Sequence, residues 1–271
     1  MTGTGYPSLG EIVAQHAPKV EYERYLFASR FIFRPPSFPA IWLLVRLGLT
    51  GEGASWLSGL SAFLGFVCLL WPGGGLIWPG VALLVLFNFF DCLDGGIARA
   101  LRARNPYGRF LDSMMSWADM LFWPVIGVVV WRDSGLRLAG NAAGADPLAW
   151  LAVGFLCSFF SSYYVYLEGV FDEVLRPHWE KLSAAPAAQL PSSPLAGKSG
   201  PEFWARVAVS NLRVRETHYL LLIPVFLYGA ADLMLSFFLL FYAAFTFALV
   251  LTYCRRGREV LKSCVGRETA K

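Results

Sequence analysis

The fold of this chain is decided by the stretch Asp91-Cys-Leu-Asp94-Gly95-Gly-Ile-Ala98-Arg99, which is followed, after eight intervening residues, by Gly108-Arg-Phe-Leu-Asp112-Ser-Met-Met-Ser116. The largely apolar run 83–90 leads directly into the first of these acids. Carboxylates in a lipid-facing helix carry a considerable desolvation cost, and acids within such segments usually serve a function. The three aspartates therefore predict a site that holds a positively charged ligand.

The composition indicates an integral membrane protein. Of the 271 residues, 56% are hydrophobic and 15% are charged, whereas about 25% are charged in an average soluble protein. Several tryptophans and tyrosines stand near the ends of apolar runs, as interfacial anchors do. The net charge of +4 fits contact with anionic membrane lipids, and no nucleic-acid partner is predicted.

The apolar segments predict an all-α polytopic membrane protein with six transmembrane helices. The predicted spans are 55–72, 76–94, 110–131, 147–168, 218–231 and 233–253. Residues 22–33 mix several aromatic side chains with Arg24 and Arg30, which is typical of a helix in the headgroup layer. Arg34-Pro35-Pro36 predicts a break, because proline lacks a backbone donor. Residues 39–49 are too short to span a bilayer and predict a second interfacial or re-entrant helix.

Three regions are expected along the chain. They are an N-terminal cytosolic or interfacial segment (1–54), a six-helix catalytic domain (55–256) and a basic cytosolic tail (257–271). Within the second region, 176–215 is predicted to be a flexible cytosolic loop, because 177–201 is rich in Ala, Pro and Ser. The start of the chain lacks a continuous apolar run, so no cleaved signal is predicted. The five cysteines show neither metal-ligand spacing nor a disulfide framework.

The basic residues predict the orientation of the protein. If both termini are cytoplasmic, all 23 lysines and arginines except Arg132 and Arg137 lie on the cytoplasmic side, as the positive-inside rule favours. The three motif aspartates then lie at the cytoplasmic ends of the second and third spans. We therefore predict a site that faces the cytosol from a bacterial-type inner membrane or its equivalent.

The spacing of the motif predicts its chemistry. On a helix, Asp91 and Asp94 share one face, and Ala98 lies on that face two turns from Asp91. The small residues Gly95 and Ala98 leave room for a pyrophosphate and a metal beside the carboxylates. Asp112 adds a third carboxylate from the next helix, and such hard oxygen ligands suit Mg²⁺ or Mn²⁺. A metal there would stabilise charge on a phosphoryl group under attack.

A second interpretation of the acids is an ion-pair network. In that case Asp91 or Asp94 would pair with Arg99 or Arg102 of the same segment. In the metal-site interpretation, Arg99 either neutralises phosphate charge or tethers the basic turn.

The pattern Asp91-x-x-Asp94-Gly95-x-x-Ala98-Arg99-x8-Gly108-x-x-x-Asp112 resembles the signature of the CDP-alcohol phosphotransferases, membrane enzymes of phospholipid synthesis. The layout of spans is also similar, over residues 20–256. The resemblance implies that a hydroxyl acceptor attacks the phosphate distal to cytidine in a CDP-alcohol, which releases CMP and forms a phosphodiester. The implied partners are a donor such as CDP-diacylglycerol, a lipid or polyol acceptor, and a second copy of the chain in a homodimer.

The resemblance also implies roles for individual residues. Asp91, Asp94 and Asp112 occupy the positions of the metal ligands. The positions expected to surround the cytidine diphosphate lie beside these acids and are Gly95, Ala98, Arg99, Gly108 and Arg109.

The chain departs from the family pattern at its fourth acid. That acid is the usual candidate for the general base, and this chain has Ser116 in its place. Serine does not accept a proton at neutral pH without help, although it could hold a metal-bound water or orient a substrate hydroxyl. Asp119 is the nearest substitute, about 10 Å beyond Asp112 if the helix is continuous. Three interpretations of Asp119 are open: a displaced base, a partner for a neighbouring helix, or a relic in an inactive homologue.

Polar residues outside the motif are weaker candidates for a role in the site. His218 is a second potential proton acceptor, and its neighbours before the fifth predicted span are candidates for binding the acceptor: Arg213, Arg215 and Glu216. Asn88 is predicted to be an interhelical hydrogen bonder. The alternative function, supported by Ser116, is a catalytically impaired homologue that binds CDP-lipid or scaffolds a lipid-synthesis complex.

Overall fold

A computed structural model of the protein describes residues 6–103, 106–132, 147–183 and 200–268. These residues form helices and their connections, which confirms the predicted all-α class. The helices are α1 (Leu9–Glu23), α2 (Arg34–Arg46), α3 (Gly51–Leu70), α4 (Ile77–Ala100), α5 (Pro106–Met115), α6 (Trp117–Arg132), α7 (Pro147–Val170), α8 (Arg176–Ser183), α9 (Gly200–Arg213), α10 (Arg215–Leu227) and α11 (Ala231–Glu268), with π-helical turns at Ala28–Phe33 and Phe171–Leu175. One compact unit comprises Met1–Asp119 and Ser192–Tyr228, and a second comprises Met120–Pro191 and Gly229–Lys271.

Five helical segments of the described residues are long and apolar enough to cross a membrane, which confirms a polytopic architecture. They are Gly51–Leu70, Ile77–Ala100, Pro106–Arg132, Leu148–Trp179 and Ala231–Lys262. The fifth predicted span, 218–231, corresponds to α10. Its 13 residues cover about 20 Å, whereas the hydrocarbon layer is about 30 Å thick. Unlike the five segments above, α10 is therefore shorter than the hydrocarbon layer is thick.

The N-terminal region is more helical than predicted. A capping box starts α1, since the Glu11 carboxylate accepts a hydrogen bond from the Ser8 backbone at 2.7 Å. The predicted break at Arg34-Pro35-Pro36 is wrong, because the π-helical turn continues directly into α2. The two prolines occupy the first turn of α2, a position where proline is tolerated.

The loop prediction for 176–215 is also corrected at both ends, which form α8 and α9. In α9, the exposed pair Glu202 and Arg206 is spaced i,i+4 with a separation of 3.0 Å, an arrangement that supports a helix. The Ala-, Pro- and Ser-rich centre, 184–199, lies outside the described residues. The predicted basic tail continues α11 as far as Glu268.

In the first unit, α3 packs closely against α4 because glycines line the contact. A Cβ atom at Gly80 would lie 3.0 Å from the carbonyl oxygen of Gly65. Nearer the motif, a Cβ atom at Gly51 would lie 3.1 Å from the carbonyl oxygen of Asp94. The first turn of α3 is thereby held against the acidic segment of α4.

In the second unit, α6 and α7 cross at Gly127 and Gly154. A Cβ atom at Gly154 would lie 2.6 Å from the carbonyl oxygen of Trp123, and one at Gly127 would lie 2.6 Å from that of Trp150. These neighbours are backbone atoms, so they cannot rotate away from an added methyl group.

Gly154→Ala is therefore expected to lower the midpoint of thermal unfolding in detergent, since overpacking of this kind costs about 1–3 kcal/mol. Gly169→Ala is the matched control on the same helix, because no atom lies within 4 Å of its Cβ position. The control should unfold at or slightly above the wild-type temperature. An unchanged midpoint for Gly154→Ala would contradict the close crossing.

Candidate metal and phosphate site

The three motif acids meet in the first unit. Asp91 and Asp94 project from one face of α4, and Asp112 joins them from α5. One carboxylate oxygen of each lies within 4.8 Å of the others. Asp94 is buried, with 8% of its surface exposed, whereas Asp112 is exposed. Three hard oxygen donors from two helices are a suitable set for a divalent cation such as Mg²⁺ or Mn²⁺.

The carboxylate of Asp94 is held in place by its neighbours. The Ser55 hydroxyl donates a hydrogen bond to Oδ2 at 2.8 Å, and the backbone N–H of Gly95 donates to Oδ1. Ser55 lies in the first turns of α3, the part of that helix that Gly51 allows to approach α4. The packing of α3 on α4 therefore also orients one acid of the site.

Asp91 forms an ion pair with Arg215, the first residue of α10. Nη2 of Arg215 contacts Oδ2 of Asp91, and its Nη1 lies 3.5 Å from Oδ2 of Asp119. Burial disfavours the charged form of Arg215, but Asp91 and Asp119 outweigh this effect and raise its pKa. The network interpretation expected Arg99 or Arg102 as the partner of an acid on α4, whereas the cation that pairs with Asp91 is Arg215 of α10.

The fourth motif position, Ser116, lies in a turn. α5 ends at Met115 and α6 begins at Trp117, and the Ser116 N–H bonds the Ser113 carbonyl at 3.2 Å. The helical segment from Asp112 to Asp119 is therefore not a regular α-helix, because i,i+3 bonds tighten the chain at this point. The Ser116 hydroxyl lies 3.4 Å from the carbonyl oxygen of Asp112.

Asp119 is linked to the site through Arg215. This contact agrees with the interpretation of Asp119 as a partner for a neighbouring helix. Only Oδ2 takes part in the contact, since Oδ1 is buried and has no hydrogen-bond partner within the described part of the chain. One oxygen of Asp119 is therefore free to accept a proton.

His218 makes a different contact from the one expected of a base. The side chain is buried, and its Nε2 lies 2.7 Å from the carbonyl oxygen of Leu212. A carbonyl only accepts hydrogen bonds, so Nε2 is the protonated nitrogen. That nitrogen is consequently not a proton acceptor for a substrate.

The residues assigned to donor binding lie around the acids along α4 and α5. A Cβ atom at Gly95 would lie 3.3 Å from Nη1 of Arg99, so the guanidinium covers the glycine. Ala98 faces the start of α3, where a Cβ atom at Gly51 would lie 3.5 Å from its own Cβ. Gly108 is half-buried and Arg109 is exposed in the first turn of α5.

Asn88 does not form the interhelical hydrogen bond that we predicted. It is 1% exposed, and neither amide atom has a hydrogen-bond partner among the residues that the structure describes. A buried polar group without a partner costs roughly 1–3 kcal/mol. Asn88 lies one helical turn before Asp91 on α4, so these unsatisfied atoms belong to the surroundings of the acidic site.

A buried polar network fastens the N-terminal helices to α4. His16 lies 3.0 Å from Glu23, and Glu23 binds Arg34 at 2.5 Å. Arg34 then donates to the carbonyl oxygen of Cys92 at 3.3 Å. Since Cys92 follows Asp91, this network supports α4 at the acidic motif. No sequence signal had singled it out.

Comparisons with known proteins identify a similar family. Residues 53–175 match the family model of CDP-alcohol phosphatidyltransferase. The chain is 30% identical over 118 residues to phosphatidylinositol phosphate synthase of Mycobacteroides abscessus. This aligned region covers 41% of the chain and 51% of that protein. It is also 38% identical over 72 residues to the Cutibacterium acnes protein of the same name. This aligned region covers 27% of the chain and 34% of the relative.

The chain therefore carries a CDP-alcohol phosphatidyltransferase domain at residues 53–175. This range contains the whole motif from Asp91 to Ser116 and confirms the resemblance found in the sequence. The matched regions span about half, or less, of the length of these relatives.

Proposed function

We propose that this protein transfers a phospho-alcohol group from a CDP-alcohol to a hydroxyl acceptor and releases CMP, as a step of phospholipid synthesis. The observation that carries the proposal is the convergence of Asp91, Asp94 and Asp112 within 4.8 Å, inside a domain of the matching family. CDP-diacylglycerol is the proposed donor. The names of the relatives favour a polyol or polyol phosphate, such as inositol phosphate, as the acceptor.

The acids and their small neighbours would bind the donor. Asp91, Asp94 and Asp112 would hold Mg²⁺ or Mn²⁺. A bound divalent cation supplies stabilisation of negative charge on the phosphoryl group and on the leaving CMP. Gly108 would leave space for the diphosphate beside these acids, and the Arg99 guanidinium that covers Gly95 would contact it. The positively charged neighbours proposed to offset its charge are Arg99 and Arg109.

Asp119 is proposed as the general base. The oxygen of the acceptor hydroxyl attacks the phosphorus distal to cytidine, the bond from that phosphorus to CMP breaks, and the hydroxyl proton moves to Oδ1 of Asp119. Two features support this role: Oδ1 has no hydrogen-bond partner in the described residues, and Arg215 holds the other oxygen. Ser116 would orient the acceptor hydroxyl and would not itself take the proton.

The site is proposed to face the cytoplasm. Basic residues flank it on several elements, including Arg99, Arg109 and Arg215, as expected on the cytoplasmic side of a membrane protein. Cytoplasmic termini and a homodimer remain predictions from the sequence. Arg137, one of the two basic residues predicted on the opposite side, lies outside the described residues.

The test is CMP release by the purified full chain in detergent. The protein is incubated with CDP-diacylglycerol and Mg²⁺, together with inositol, inositol phosphate, glycerol phosphate or a lipid alcohol in separate reactions. We expect CMP to form with one class of acceptor. Saturable binding of CDP-diacylglycerol without CMP formation with any acceptor would favour the impaired homologue, which the serine at position 116 supports. If the protein neither binds CDP-diacylglycerol nor forms CMP, the proposed donor is wrong.

A further inference from the structure

Arg215 connects acids on two other helices. Its guanidinium binds Asp91 of α4 through Nη2 and lies 3.5 Å from Asp119 of α6 through Nη1. Its central carbon lies 4.9 Å from the centroid of the Phe87 ring. Arginine suits this position because its planar group offers several donors in a fixed geometry and also stacks on aromatic rings, whereas lysine presents a single point charge.

The fold fixes where this guanidinium lies. Phe87 is fully buried and makes an edge contact with Tyr219 of α10, with ring centroids 5.6 Å apart. Glu216, the next residue after Arg215, accepts a hydrogen bond from the Ser29 hydroxyl at 2.9 Å. The start of α10 is therefore attached both to α4 and to the N-terminal π-helical turn, and Arg215 is carried to Asp91 by these contacts.

We propose that Arg215 is a positioning residue for the cation site. By binding Oδ2 of Asp91, it fixes the carboxylate so that one oxygen remains for the cation, and it joins that carboxylate to Asp119. The inference rests on the proposed metal site. Carboxylates that bind metals are commonly oriented by such hydrogen-bonding partners, and loss of a partner typically weakens metal binding by about 10–100-fold.

Ser55 offers an internal comparison. It holds Asp94 through a hydrogen bond of 2.8 Å, as Arg215 holds Asp91. Each buried or half-buried acid of α4 thus has a side-chain partner from a different helix. These partners explain how two carboxylates on one helix face keep a fixed orientation toward Asp112.

The test must separate orientation from charge, because a guanidinium also repels a cation. Arg215→Lys keeps the positive charge and much of the length but loses the planar group that reaches both acids. Mn²⁺ binding is measured by electron paramagnetic resonance on the full chain in detergent, without nucleotide. We expect Arg215→Lys to bind Mn²⁺ about tenfold more weakly than the wild type, with an unchanged elution profile in size-exclusion chromatography.

Two further variants make the outcome decisive. Arg206→Lys is the matched control, because Arg206 forms an exposed i,i+4 pair with Glu202 and is not among the residues proposed for the site. Its Mn²⁺ affinity should equal that of the wild type. Asp94→Asn should remove most Mn²⁺ binding. If Arg215→Lys binds Mn²⁺ with wild-type affinity while Asp94→Asn loses binding, the proposed role of Arg215 is wrong and the metal site still stands. Wild-type affinity in Asp94→Asn would instead overturn the metal site itself.

Discussion

Asp112→Asn is expected to lower the rate of CMP release by about 10³-fold or more. The substitution removes one of three converging carboxylates and leaves the shape of the side chain almost unchanged. Metal stabilisation of transition-state charge is worth several kcal/mol, and each 1.36 kcal/mol is about tenfold in rate. Asp112 is exposed, so the loss of activity should occur in a folded protein. The measurement is the initial rate of CMP formation from CDP-diacylglycerol.

The matched control for this substitution is Asp172→Asn. Asp172 is also exposed on a helix, where it pairs with Arg176, and it has no place in the proposed site. Its rate should equal that of the wild type. If Asp112→Asn kept more than about a tenth of the wild-type rate, a loss of under 1.4 kcal/mol, Asp112 would not be a ligand that the reaction requires.

Asp119→Asn is expected to lower kcat by about 10²–10⁴-fold, the usual contribution of a general base. The amide keeps the shape of the side chain and can still lie beside Arg215, but it does not accept a proton at neutral pH. Ser116→Ala should cost less than about tenfold, since orientation of a hydroxyl is a smaller contribution than proton transfer. The measurement is kcat at saturating donor and acceptor for the two variants and the wild type.

The comparison of these two variants separates the possible proton acceptors. A wild-type kcat for Asp119→Asn would leave Asp119 as a partner of α10 alone. A greater loss for Ser116→Ala than for Asp119→Asn would instead assign the main role to the serine. The Nε2 atom of His218 is not one of these acceptors, because it donates a hydrogen bond to the carbonyl oxygen of Leu212 at 2.7 Å.

Much of the site was predictable because its residues are close in sequence. Asp91, Asp94 and Asp112 lie on two consecutive helices, and acids in apolar segments are conspicuous because of their desolvation cost. The helical class and most of the spans were predictable for a related reason, since long apolar runs have few other stable arrangements in a membrane.

The partners of these acids were not predictable, because they depend on packing between distant segments. Arg215 was a candidate for binding the acceptor, and its pairing with Asp91 becomes visible only once α10 packs against α4. The same is true of Ser55 and Asp94. Hydropathy also suggested a span at 218–231, although the helix there ends at Leu227.

Local chemistry misled the prediction in two places. Arg34-Pro35-Pro36 indicated a break, but proline is tolerated in the first turn of a helix, and here that turn directly follows a π-helical turn. Apolar residues on both sides of Ser116 indicated one regular helix; Pro106–Arg132 is a single segment long and apolar enough to cross a membrane, but i,i+3 hydrogen bonds tighten it at this serine between α5 and α6. The position of Asp119 relative to the acids therefore required the structure.

In the proposed reaction, the three aspartates hold a divalent cation without which CMP is not released from a CDP-alcohol. This requirement is tested by measuring CMP formation by the purified protein with CDP-diacylglycerol and its acceptor, before and after removal of divalent cations with a chelator. We predict that CMP formation stops after chelation and returns when excess Mg²⁺ or Mn²⁺ is added. CMP formation that continues unchanged in the chelator would contradict a metal-dependent reaction at the three aspartates.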